Sequence, residues 1–219
     1  MAGDCTGDGT TSMTCPVTGL PDGATDTVYI SCRDSNGNAD TGNVSGTYKV
    51  DTTAPSAPAS VNDGTGADID ITTSTTSISA NWPLGADAQS GVKRYWYSVG
   101  TSAGASDVVS WTNNGTATGT TVAGTYTHGT TYYFNVKTEN NAGLLSGVTS
   151  SDGQLIDAQT PNQSLWNPAT GSYATATAVT VYFTTSETAD CHWSLTNQGY
   201  AAMAGDCTGD GTTSMTCPV

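Results

Sequence analysis

The seventeen residues MAGDCTGDGTTSMTCPV that run from Met1 to Val17 return without a mismatch from Met203 to Val219. Self-similarity at a fixed period marks an array of structural units, so this feature constrains the fold before any residue propensity does. With an offset of about 200 residues, the chain reads as one period of a tandem array followed by the start of the next. Met203 lies inside the continuous run GYAAMAGDC. Its counterpart Met1 is therefore expected to be an internal residue of a longer polypeptide and not an initiator.

A period of this length accommodates two ordinary domains. Only 11% of the residues are charged, and polarity comes instead from Thr, Ser, Gly, Asn and Asp, a mix that favours strands, turns and exposed loops. No window sustains the 3.6-residue apolar rhythm of an amphipathic helix, which leads to an all-β expectation. The formal charge is −14 with five Lys and Arg residues, so a phosphate-binding surface, and with it nucleic acid, is excluded. No stretch approaches the length and apolarity of a membrane span.

Two segments echo each other at half the period. TVYISCRDSNGNAD begins at Thr27 and TYYFNVKTENNAGL at Thr131, each alternating apolar and polar residues before an Asn/Gly turn. The alternation places Val28, Ile30 and Cys32 inward in the first, and Tyr132, Phe134 and Val136 inward in the second. Each is followed by a glycine-containing strand and then by a linker of the form Asp-x-x-x-Pro, at Asp51 and at Asp157. The period thus divides into a segment 1–51, a whole module 52–158, and a segment 159–219 whose last part, 203–219, is the duplicate of 1–17. Within the whole module, TSISANW sets Ile78, Ala80 and Trp82 on one face, and SGVKRYWYSVG does the same for Tyr95, Tyr97 and Val99. Short alternating strands at this spacing are the signature of a β-sandwich. The outer segments carry half a sandwich each, with Val179, Val181 and Phe183 alternating in the second, and a sheet cannot hide its apolar face alone.

Six cysteines are present, but Cys207 and Cys217 repeat Cys5 and Cys15, leaving Cys5, Cys15, Cys32 and Cys191 as the independent set. An even number without metal-type spacing points to disulfides and an oxidising compartment, with three pairings open.

The order SGVKRYWYSVGTS, DVVSW and GTTYYFNVKTENNAGLLS resembles the fibronectin type III modules common in bacterial secreted and surface proteins, over nearly all of 52–158. The pattern CHWS leading through the duplicated stretch to VYISCRDSNGN resembles a second, immunoglobulin-like bacterial module, in which cysteines of the third and sixth strands meet. The expected fold is all-β: tandem fibronectin type III and immunoglobulin-like sandwiches, one complete and one split across the repeat boundary. The resemblance implies a bond between Cys191 and Cys32 of the next period, which leaves Cys5 with Cys15, and Cys207 with Cys217, as local staples. The longer of these loops, about 40 residues, is worth about 4 kcal/mol by chain entropy, and the shorter about 3 kcal/mol.

No catalytic pattern emerges, and the chain is not expected to be an enzyme. His128 and His192 fall in separate modules outside any HExxH motif, and no GxSxG elbow or phosphate loop accompanies the many hydroxyls. Calcium is the sharpest chemical alternative, because DSNGNAD sets Asp34, Asn36, Asn38 and Asp40 at alternate positions and NDGTGADID adds Asp63, Asp68 and Asp70. An EF-hand counted from Asp34 fails, since Ala39 stands where its glycine belongs and Ser45 where its bidentate Glu is needed. The linker carboxylates Asp51 and Asp157 are the next candidates. Asn43, Asn114 and Asn162 satisfy the N-glycosylation rule. Trp96 and Trp111 are the aromatic rings available to stack on sugars.

These readings converge on a structural repeat unit of an extracellular or cell-surface filament, stalk or adhesin shaft, whose partners are adjacent copies of itself. The alternative is a carbohydrate-binding or spacer module of a secreted polysaccharide-active enzyme, with surface glycans as partners. Since the central module has no cysteine, reducing agent is expected to lower the melting temperature of the flanking segments and leave the 52–158 transition in place, which calorimetry with and without dithiothreitol checks.

Overall fold

The computed structural model describes residues 5, 6 and 11–219. They form two compact units, Met1–Ala158 and Gln159–Val219. Among the described residues all regular structure is β apart from one three-residue 3-10 turn at Tyr200–Ala202.

The first unit opens with an antiparallel pair, β1 (Thr25–Ile30) and β2 (Val44–Lys49), in register from Thr25↔Lys49 to Ile30↔Val44. Next come β3 (Asn62–Asp63), β4 (Ile71–Thr72), β5 (Ser77–Asn81), β6 (Val92–Gly100), β7 (Val109–Asn113), β8 (Gly119–Ala123), β9 (Thr131–Asn140), β10 (Thr149–Ser150) and β11 (Gln154–Ile156). They make two sheets, one ordered β3-β5-β8 and the other β4-β11-β9-β6-β7, with β10 also on β9. The sheets close on one apolar core. Ile78, Ala80 and Val122 come from the first sheet, and Tyr95, Val99, Phe134, Val136 and Ile156 from the second. The period-2 pattern explains why: Phe134 and Val136 are fully buried, and Ile78, Ala80 and Trp82 nearly so. Trp82 meets Tyr95 edge to face at 6.1 Å, adding a directional contact to the area buried.

Segment 1–51 groups with this sandwich in the same unit. Asp22 fastens the base of the β1–β2 pair, accepting from Thr52 N–H at 2.7 Å, Thr53 Oγ1 at 2.9 Å and Gln89 Nε2 at 3.0 Å. The pair itself stays outside the core. Ile30 is 40% exposed, Cys32 is exposed beyond the strand end, and neither they nor Val28 belong to a buried cluster. Among the described residues of the first unit, the inward placement read from their alternation therefore meets no buried cluster.

The second unit holds β12 (Gln163–Asn167), β13 (Thr180–Ala189), β14 (His192–Trp193), β15 (Gly205–Asp206) and β16 (Thr212–Pro218). One sheet runs β12-β13-β16, and β14 pairs β15 as a ribbon. Val181 stands opposite Cys217 and Phe183 opposite Met215, so the duplicated stretch is a full partner of β13. Phe183, Cys191, Cys207, Met215 and Cys217 form the small core.

The two copies of that stretch share a disulfide and one bridge and differ in surroundings, the second alone forming a strand over Thr212–Pro218 among the described residues. Cys5 bonds to Cys15 and Cys207 to Cys217, and the bridges Thr6↔Thr14 and Thr208↔Thr216 are equivalent. Yet Met215 is 2% exposed and Met13 46%. Met215→Ala is accordingly expected to cost about 2–5 kcal/mol, and Met13→Ala less than about 0.5 kcal/mol; denaturant unfolding of the two variants measures both.

Candidate functional site

The small core of the second unit is open on one side. A groove of about 560 Å³ lies there, with Trp166, Val181, Phe183, Cys191, Trp193 and Met203 in its wall. Trp166 is exposed and stacks on Phe183 at 5.3 Å, so aromatic surface faces the opening. The Cys191 thiol is free and buried, and burial, reinforced by Asp190 and Asp210, pushes its pKa up. It rests as the neutral thiol at neutral pH and is a poor nucleophile there. The other free thiol, on Cys32, is at the surface of the first unit. A single chain thus carries two unpaired cysteines beside its two local disulfides, and both disulfides fit an oxidising compartment. Among the described residues no helix is long and apolar enough to cross a membrane.

His192 sits beside the groove, stacked on Tyr200 at 4.5 Å, with Nε2 3.9 Å from carboxylate oxygens of both Asp190 and Asp206. Tyr200 donates its hydroxyl to Asp190. His128 lies in the other unit, where Nδ1 accepts from Ala158 N–H at 3.2 Å and stands 3.5 Å from Asp157. The two histidines thus serve separate local contacts.

Among the carboxylates singled out in the sequence, Asp34, Asp40 and Asp51 are occupied by local donors, and Asp63 is not satisfied at both oxygens. Asp34 accepts from the backbone of Asn36 and Asn38 and from Asn38 Nδ2, which hold it below the usual carboxylate range. Asp40 accepts from Ser31 Oγ and Cys32 N–H and is lowered likewise. The DSNGNAD run is a self-satisfied turn. Asp51 accepts from Thr53 N–H and Asn140 Nδ2, so the first linker carboxylate pins the linker to β9. Asp63 differs: it is fully buried, its Oδ1 has no hydrogen-bond partner, and burial pushes its pKa up to about 7. Ser151 and Gly153 oppose that rise, whereas the charges of Asp68 and Asp152 add to it.

The aromatic and glycosylation candidates are also placed. Trp96 donates Nε1–H to Glu139 at 2.6 Å, and Lys137 Nζ lies 3.8 Å from the Trp111 ring centroid, so both half-buried rings have partners within the sandwich. Asn43 and Asn162 are exposed. Asn114 Nδ2 is tied to the carbonyls of Ala117 and Gly119.

No protein-family model matches the chain, and no curated protein matches it.

The raised pKa of Asp63 has a definite sign. The folded chain holds the proton more tightly than the unfolded one, so the stability this group confers is full below about pH 4 and is lost as pH climbs to about 7. In metal-free buffer the wild type is expected to lose on the order of 4 kcal/mol across that window relative to Asp63→Asn, read from denaturation midpoints at stepped pH.

Proposed function

We propose that the chain is a structural repeat unit of an extracellular or cell-surface filament, stalk or adhesin shaft. In this reading it consists of tandem fibronectin type III and immunoglobulin-like β-sandwiches. The sandwich of the first unit is complete in itself, and the second unit is half of another. Residues 18–51 of the next copy follow on from β16 and cover the open groove of Gln159–Val219. The partner is an adjacent copy of the same chain, and the work is mechanical: folded units held at fixed spacing, with disulfides stapling the segments outside the central sandwich.

The observation that carries the reading is the contrast between the two copies of one sequence. Beside β13 the duplicated stretch buries Met215, Cys207 and Cys217, whereas at the other end Met13 is open and Cys5 and Cys15 are only half-buried. A stretch that is core in one setting and surface in the other is missing its neighbour in the second. The exposed apolar residues of β1 and β2, Tyr29, Ile30, Val44 and Tyr48, fit the same account. So do the free thiols, one in the wall of the groove and one just past β1, which the reading joins across the copy junction. The acidic, hydroxyl-rich surface keeps such an array dispersed.

A chain carrying two consecutive periods tests this. Under non-reducing conditions its free-thiol content is expected to be half that of two separate chains, with peptide mapping placing the new disulfide between Cys191 and the following Cys32. Full alkylation of every Cys32 and Cys191 in the folded two-period chain overturns the reading.

A further inference from the structure

Away from the groove, two loops of the central sandwich meet around the buried carboxylate of Asp63. Its Oδ2 accepts Gly153 N–H at 3.2 Å and the Ser151 hydroxyl stands beside the carboxylate, while its Oδ1 has no hydrogen-bond partner. One carboxylate oxygen from each of Asp63, Asp68 and Asp152 lies within 4.8 Å of the other two. Among the described residues none of the three pairs with a lysine, arginine or histidine. Three converging carboxylates, one of them out of water with an unused oxygen, are a costly arrangement unless positive charge balances them.

The loops are built to hold this geometry. Asp63 N–H donates to Asp68 Oδ1 at 2.7 Å and Ile69 N–H to the Asp63 carbonyl at 3.0 Å, which closes the first loop on itself. Gln154 Nε2 donates to the Ile69 carbonyl at 2.9 Å and joins it to the second. The residues that follow Asp63 and Asp152, Gly64 and Gly153, have φ of +95° and +104°, where side chains are strained. A Cβ at Gly153 would also stand 2.7 Å from Thr131 and Tyr133. Asp70, which the sequence places in the same run, gives its backbone carbonyl to Leu155 N–H and is not one of the three.

We propose that Asp63, Asp68 and Asp152 bind a calcium ion that ties the loop before β4 to the loop before β11. The donor set is all oxygen, which selects a hard cation. The three ligand atoms, all within 4.8 Å of one another, fit inside the span of about 5 Å across a single calcium ion. Asp63 anchors the ion from inside, and the exposed Asp68 and Asp152 leave its outer side to water.

Isothermal titration of the 219-residue chain with calcium chloride, alongside calorimetric scans, tests the assignment. The expected result is one calcium per chain and a rise of roughly 5 °C in the melting of the first unit, with a smaller rise from magnesium chloride. Asp68→Asn and Asp152→Asn, both at exposed positions, are expected to abolish the heat and the shift, and Asp34→Asn to leave them unchanged. Asp63→Asn is expected to melt higher than wild type without calcium and to ignore its addition. No wild-type response at millimolar calcium, or a response that persists in both Asp68→Asn and Asp152→Asn, overturns the site.

Discussion

A sheet with one apolar face is stable only when something lies against that face, and every feature of this chain follows from where that condition is met. In the central sandwich it is met internally: the three-stranded sheet and the larger sheet share one core, with Phe134 and Val136 at its centre. In Gln159–Val219 it is met in part, because β16 completes one sheet and nothing in that unit closes over the groove beside Cys191. In the β1–β2 pair Ile30, Val44 and Tyr48 remain open. The disulfides matter in proportion: the fully cored sandwich contains none, and the lightly cored segments carry both.

Polar chemistry in the first unit works mainly as fastening. Asp22, Asp51 and Asp87 gather donors from Thr52, Thr53, Gln89, Asn140 and the turn at Ser90 and Gly91, and together they set the joint between the β1–β2 pair and the sandwich. Hydrogen bonds to ionised carboxylates are about twice as strong as neutral ones, so a few such residues can fix a joint that little apolar surface supports. Glu139 acts similarly on the sandwich face, accepting from Trp96 and pairing with Lys93 at 3.2 Å and Arg94 at 3.4 Å.

What could be read in the sequence was whatever depends on near neighbours. Alternation over five or six residues placed Ile78, Ala80, Trp82, Tyr132, Phe134 and Val136 in the core, because side-chain direction along a strand is a local property. The same rule gave Val28, Ile30 and Cys32 a common inward face, but whether a face is covered depends on strands far away in the chain, and none of the described strands of the first unit buries it. The acidic cluster shows the limit most clearly. Asp63 and Asp68 stand five residues apart and were visible as a pair, whereas Asp152 arrives through the pairing of β11 with β4 and β9. Asp70 shares the run with Asp63 and Asp68, and sequence spacing cannot report the register that brings Asp152 to them instead. In the regular Asp/Asn run from Asp34 to Asp40, Asp34 and Asp40 bond their own turn, as short polar side chains bond nearby backbone first.

The placement of the few cations sets the electrostatic character of the outside. Of the five lysines and arginines, Lys93 and Arg94 lean onto Glu139, and Lys137 lies over the Trp111 ring. Arg33 and Lys49 are left to face nineteen acidic side chains. Two such molecules that approach one another therefore bring like-signed surfaces together, with a repulsion that physiological salt damps only beyond about 8 Å.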